Sequence, residues 1–500
     1  MLEHLGPVSP IYGRSLVPDL RGIRAIVPAG HLAAFVSLSR QFRLTDTFSA
    51  VCPSGGDEVA TRLWALVLNQ SAGRRALPDV GPWVEESPLH QWMPADGVSL
   101  QKDALSRALD VIYSRQEGEE TAYRRVHAIQ ERAAQAVEQV VGRDPAHYFV
   151  YHDVCRIRYN GSHCDWAEPG HGAVNGRPHV GIGMVTGRKH HFPLLSLPVK
   201  GSLHDSKTVV PVSQELKGRG LQGLTMVMDR GFPGRKTIKV VRDAGFEVLV
   251  GCPESSKEVK RAVRRWTDEE VERPGQVVPR SSKPEHAQYY RGWDGELYGV
   301  KGFLVLALDP WRRTEERVSR DLMLREVAQG GWTKGKWSSL REELGPVAAR
   351  SPGRRGWRVD RRAERVARRA DGRFLLFTTN RELSAEEVVE TYFQRDEVEK
   401  AFETLKGPLN MQPIRYRLFH HVDTYLTVIC HLAYLLRAGL RWRLKEAGRR
   451  ESTEEALEIL REVYWVRERM GEGYLDRWGP LTKEKLGLIK ALGLNDLVRA

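Results

Sequence analysis

Residues 392–406 read YFQRDEVEKAFETLK, which sets Tyr392, Arg395, Glu399 and Lys406 at intervals of three, four and seven. At about 100° per residue of helix, their polar heads share an arc of roughly 60°. One helix face would then offer a phenol, a carboxylate and two cations. Left to themselves, such residues make a solvated face with an Arg395–Glu399 salt bridge worth about 0.3–0.5 kcal/mol. Two aspartates argue for more. Asp153 closes the apolar run that begins at Tyr148, and Asp229 closes the run TMVMD. Either could be a plain cap or turn residue, but a charge at the mouth of a buried strand is costly unless it is partnered. Together with Glu399 they would make three carboxylates from two strands and a helix, whose repulsion raises their pKa values unless a cation offsets it. A divalent metal meets that need.

The elements that must position these residues are legible in period and punctuation. Tyr148–Tyr151 is a short β-rich run ending at Asp153, and further strands are expected at 178–186, 191–199, 224–228 and 246–250, with helices at 205–216 and 233–243. That order predicts a mixed α/β sheet. Strand character returns at 373–379, and Ser384 with Glu387 forms a capping box for a helix expected to run unbroken to Lys406, where Gly407 and Pro408 stop it. Before this region the chain reads as helical at 57–69, 100–113 and 119–141; after it, amphipathic helices are expected at 421–443, from a second capping box at Ser452 and Glu455, and near 483–492. Residues 254–370 differ in chemistry. Between Trp311 and Ala370 there are 17 Lys and Arg against 8 Asp and Glu, a net +9, and the block from 254 holds six of the 13 tryptophans.

Composition bounds the partners. The chain has 500 residues, 41% hydrophobic and 28% charged, with 77 Lys and Arg against 64 Asp and Glu and a net charge of +13. Such a balance points to a polyanion, nucleic acid ahead of a membrane surface. Five cysteines with no C-x-x-C pair fit a reducing compartment. Neither a secretory signal nor a span is expected, since the longest apolar stretch, 425–440, contains His431 and Arg437 and is shorter than the roughly 20 residues a bilayer needs. VGIGMVTG at 180–187 lacks the third glycine and following helix of a dinucleotide site. His163, Cys164 and His171 lack zinc-finger spacing, and the pairs His190–His191 and His420–His421 read as structural or phosphate-facing.

The Tyr-Arg-Glu-Lys spacing, with Asp153 in YFVYHDVCRIRY, Asp229 in VMDRGF and the stretch GSLHDSKTV between them, resembles the signature of DDE transposases of bacterial insertion sequences, in the family numbered four and its relatives. Cys155 stands where relatives carry a small hydroxyl residue, and NGSHCDWAEPGHG matches no familiar loop. The resemblance implies an RNase H-like catalytic core at 146–253 and 371–415, interrupted by a largely β insertion at 254–370, with helical regions at 1–145 and 416–500 for end recognition and dimer contacts. It implies Asp153, Asp229 and Glu399 as catalytic residues and ligands of two Mg²⁺ ions, with Mn²⁺ as a substitute, for cleavage at transposon ends and strand transfer. Tyr392, Arg395 and Lys406 would hold phosphates. Trp293, in the Gly-Trp-Asp-Gly turn, would stack a displaced base, and Arg354, Arg355, Arg361 and Arg362 would contact the DNA backbone. Double-stranded DNA, a homodimer on DNA and a cytoplasmic, nucleoid-associated location are the corresponding partners and place. Two other readings use the same residues: a nuclease without strand transfer, and a domesticated DNA-binding protein without catalysis.

Overall fold

The computed structural model describes residues 23–52, 56–94, 96–113, 119–142, 149–170, 176–188, 190–232, 234–254, 256–279, 286–329, 334–350, 357–470 and 472–498. Its described strands are β1 (Ile23–Pro28), β2 (Phe149–Arg158), β3 (His179–Gly187), β4 (Pro193–Lys200), β5 (Thr225–Met228), β6 (Glu247–Cys252), β7 (Val277–Pro279), β8 (Ala287–Leu297), β9 (Val300–Leu308), β10 (Ala348–Arg350), β11 (Trp357–Val359), β12 (Arg373–Thr378), β13 (Tyr464–Met470) and β14 (Gly473–Trp478). The chain divides into two compact units, one of Met1–Ala146, Asp153–Leu203 and Glu397–Ala500, the other of His147–His152 and His204–Asp396.

The second unit is built on a mixed sheet. Its strands run in the order β2-β5-β6-β12-β9-β8-β7, with β2 parallel to β5 through Phe149–His152, β5 parallel to β6, and the remaining pairs antiparallel. The central strands are continuous apolar runs: β5 is buried at all four positions and β6 at all but its first, as both-faces-covered strands require. Register matters here. The parallel pairing ends on His152 opposite Met228, each the residue before one of the two expected aspartates. The helix Ala385–Phe393, capped by the Ser384–Glu387 box that the sequence predicts, packs on this sheet.

Residues 254–370 depart from a largely β insertion. Strands β8 and β9 form a hairpin closed by Tyr298 and Gly299, both at positive φ, as a two-residue turn demands, and β9 pairs with β12 inside the same sheet. Beyond β9 the block is mainly helical: Pro310–Gln329, Lys334–Leu344 and Arg361–Arg368 surround a small core of Leu324, Val327, Leu340, Leu344 and Val347. Their charge hides the period, because Pro310–Gln329 buries Leu324 and Val327 among Arg and Glu.

The first unit is largely helical. Gly30–Gln41, Gly56–Ser71 and His431–Glu446 carry the core, and each buries most of its length. Gly439 allows the close approach: a Cβ there would lie 2.7 Å from Phe42. The helices expected at 57–69, 100–113 and 119–141 are present as Gly56–Ser71, Lys102–Ile112 and Glu119–Val141. The sheet β1-β13-β14 departs from the all-helical expectation for both ends of the chain, and β3 and β4 form an antiparallel pair.

Candidate active site

In the second unit, Asp229 directly follows β5, with its side chain 38% exposed. The Tyr392 hydroxyl donates to its Oδ1 at 3.3 Å, and the Arg395 guanidinium lies 3.6 Å from the same oxygen. Arg395 also sits over the Tyr392 ring, 5.6 Å from its centroid. Burial, followed by the Asp229 charge, pushes the Tyr392 phenol well above its ordinary pKa, so at neutral pH it remains a donor. A cavity of about 210 Å³ opens beside these groups and is also lined by Arg230, Gly251 and Arg312. Sequence reasoning missed Gly251. A Cβ on it would lie 2.2 Å from the Tyr392 hydroxyl and 2.9 Å from the Arg230 side chain, so its bare backbone makes room for the phenol.

The expected single helix is two. Ala385–Phe393 ends at Gln394, whose N–H donates to the Glu390 carbonyl while the Arg395 N–H donates to that of Tyr392, and a new helix runs Asp396–Lys406. The continuous arc of four polar heads therefore does not exist. Tyr392 and Arg395 lie at the end of the first helix and its turn, whereas Glu399 and Lys406, seven residues apart, share a face of the second, about 10 Å apart along its axis.

In the first unit, β2 runs on through Asp153 to Arg158, so Asp153 lies within a strand rather than at its end. Its Oδ1 accepts from the Val154 N–H at 2.8 Å. Cys155 is 4% exposed. Burial pushes its thiol up to about 11; the Lys406 ammonium pulls the other way and the Asp153 carboxylate adds to the rise. Lys406 and Asp153 thus both act on one buried sulfur. Glu399 is exposed.

The nucleic-acid candidates fare differently from one another. Trp293 is not in a turn: it lies within β8, edge-on to Trp266 with ring centroids 4.6 Å apart, and Arg265 lies over both rings. It lines a groove of about 980 Å³ with Lys257, Lys260, Arg261, Arg264 and Arg265, and with Glu258, Asp294 and Glu296, a surface with more positive than negative groups that the sequence reading passed over. Arg354 and Arg355 lie outside the described residues. Arg361 and Arg362 are exposed at the start of a helix capped by Asp360, and Arg361 pairs with Glu364 at 2.8 Å. Much of the local positive charge is used internally: Arg313 and Arg317 pair with Asp268, Arg320 with Asp371, and Arg368 with Asp321.

The expected metal ligands fit in kind. All three are carboxylates, the hard oxygen donors that Mg²⁺ and Mn²⁺ prefer, and none is fully buried, so water and a cation can reach each one. Among the described residues, no helix is long and apolar enough to cross a membrane.

Comparison with known proteins gives two results. The family model described as the transposase DDE domain matches residues 145–436, more than half of the chain. Among solved structures, a cryo-EM structure of piggyBac transposase synaptic complex with hairpin DNA aligns with 9% identity and a TM-score of 0.38, covering 88% of this chain and 80% of that one. No curated protein matches.

Proposed function

Because the chain belongs to the transposase DDE-domain family, we propose that it cleaves DNA at the inverted-repeat ends of a transposon and joins the freed ends to target DNA, with Asp153, Asp229 and Glu399 as its catalytic carboxylates. The observation that carries this reading is the grip on Asp229: two residues of the Tyr-Arg-Glu-Lys spacing, Tyr392 and Arg395, both reach the same carboxylate oxygen.

Each residue has work to do. Tyr392 and Arg395 orient the Asp229 carboxylate, the phenol by donating its proton and the guanidinium by charge. Arg395 and Lys406 would also offset phosphate charge next to the scissile bond. The three carboxylates would hold divalent metal, Mg²⁺ or Mn²⁺, which when bound activates an attacking water or 3′-OH and steadies the leaving oxygen. Lys257, Lys260 and Arg261 on the helix beside Trp293, Arg264 at its end, and exposed Arg361 and Arg362 would track the DNA backbone. Joining two ends calls for two protomers on DNA, with residues 1–145 and 416–500 as the regions for end recognition and dimer contacts.

The test is nicking of DNA that contains the element's end, in Mg²⁺, by wild type and by Asp229→Asn. Metal-dependent nicking should be present in the first and lost in the second, with DNA binding retained in both. Equal, metal-independent behaviour removes catalysis and leaves a DNA-binding protein. Nicking without strand-transfer products leaves a nuclease.

A further inference from the structure

A second cluster of ligating side chains lies in the first unit, and it includes none of the three expected catalytic carboxylates. Asp110 is on the helix Lys102–Ile112, and His420 and His421 are on the helix Phe419–Thr424. Consecutive helix residues point about 100° apart, yet the Nε2 atoms of both histidines reach one oxygen, Asp110 Oδ1, at 2.9 and 2.7 Å. The imidazoles lie 4.4 Å apart at 66°. Each is held by an aromatic ring: Tyr113 stacks on His420 at 5.2 Å, and Tyr416 meets His421 edge-on at 6.1 Å. The two histidines are 6% and 8% exposed, while the Asp110 side chain is 49% exposed, so the cluster is walled by protein on the imidazole side and open to water on the other. The three ligand atoms lie within 4.8 Å of one another, the one such group of three among the described residues.

We propose that Asp110, His420 and His421 form a binding site for a transition-metal dication of the Zn²⁺ class, with water in the remaining position. Two borderline imidazole nitrogens beside one carboxylate oxygen make a mixed set that suits Zn²⁺ or Co²⁺, unlike the all-oxygen set of the catalytic carboxylates. In a tetrahedral site with bonds of about 2.0–2.1 Å, neighbouring ligand atoms stand roughly 3.3 Å apart, so the histidine-to-aspartate distances need to open by about half an ångström. Aromatic neighbours that fix each ring are the kind of surrounding that holds ligating imidazoles in place. An ion here would tie together two helices whose ligands are 310 residues apart in the chain, and its binding energy would add to the stability of the first unit.

The experiment uses the full, tag-free chain carrying Asp153→Asn, Asp229→Asn and Glu399→Gln, stripped of metal, so that the catalytic carboxylates contribute no binding. Titration with Co²⁺ should give visible absorption that saturates at one equivalent and is displaced by Zn²⁺, and Zn²⁺ should raise the melting temperature. Adding Asp110→Asn, or separately His421→Gln, should weaken Co²⁺ binding by at least about tenfold and remove the Zn²⁺-dependent rise, with circular dichroism confirming that each variant is folded. Absence of the spectrum in this background, or a spectrum that neither added variant alters, overturns the site and leaves a hydrogen-bonded clamp of two histidines on one aspartate. Because the nicking test reads the other carboxylates, either proposal can fail alone.

Discussion

Gly251 governs how Tyr392 meets Asp229. A methyl at this position would sit 2.2 Å from a phenol that is 6% exposed and has little space to swing away. Tyr392→Phe keeps the packing and removes the donor; it should leave the melting temperature nearly unchanged and slow Mg²⁺-dependent nicking by about tenfold, equivalent to about 1.4 kcal/mol of barrier. Gly251→Ala should slow nicking comparably by displacing the ring, and also destabilise the fold by about 1–3 kcal/mol through overpacking. Nicking rates and thermal melts on the same preparations separate the two effects. If both variants nick at the wild-type rate, the phenol has no part in positioning Asp229.

At the scale of the element, the break at Gln394–Arg395 decides which side chains act together. Ser384 begins the first of the two helices with a capping box whose two bonds, from Glu387 N–H and to Glu387 Oε2, are both made. Ser384→Ala should lower stability by about 1 kcal/mol, and a urea melt followed by circular dichroism would read it. That cap was legible because capping chemistry is local, and so were β5 and β6, whose apolar runs are long and bounded. The break was not legible: QRDE contains neither glycine nor proline, and the group that Arg395 meets in the turn is Asp229, 166 residues earlier in the chain. The continuation of β2 past Asp153 escaped for another reason. There Cys155 and Ile157 are buried while Val154, Arg156 and Arg158 are not, an alternation of period two that a search for apolar runs overlooks. The hairpin of β13 and β14 hid for want of an apolar run, since it carries charge throughout, although Gly-Glu-Gly between two aromatic-containing runs was its signal. Of the proposed site, the residue types and their order were readable, whereas the shared oxygen of Asp229 and the space left by Gly251 needed coordinates.

For the molecule as a whole, two bulk responses follow, one from a buried histidine of the first unit and one from the cationic groove. His31 is 6% exposed; burial, with help from Arg461, Arg75 and Arg437, lowers its pKa from 6.5 to about 3. The native state therefore holds it neutral while the unfolded chain takes up a proton below pH 6.5. Its contribution is fully present above that value and is lost as pH falls toward about 3, with a slope of up to about 1.4 kcal/mol per pH unit. Melting temperatures between pH 7.5 and 4.5 should fall more steeply for wild type than for His31→Leu, and parallel curves would contradict the assignment. DNA affinity should fall linearly on a log–log plot against salt, and Lys260→Ala with Arg261→Ala should reduce that slope if the groove beside Trp293 tracks phosphates. A fluorescence-anisotropy titration at several salt concentrations would show it.

The way the chain alternates between its two units has a consequence for biosynthesis. Contacts such as Ala29 N–H to the Val463 carbonyl and Gln70 to the Leu409 carbonyl join the opening segment of the first unit to its closing segment, which begins only at Glu397. At about 5–20 residues per second, a ribosome that has released the opening segment must translate for tens of seconds before the partners of those helices emerge. The apolar surface that these helices turn toward the closing segment stays unburied throughout that interval, so the yield of folded protein should depend on the speed of elongation.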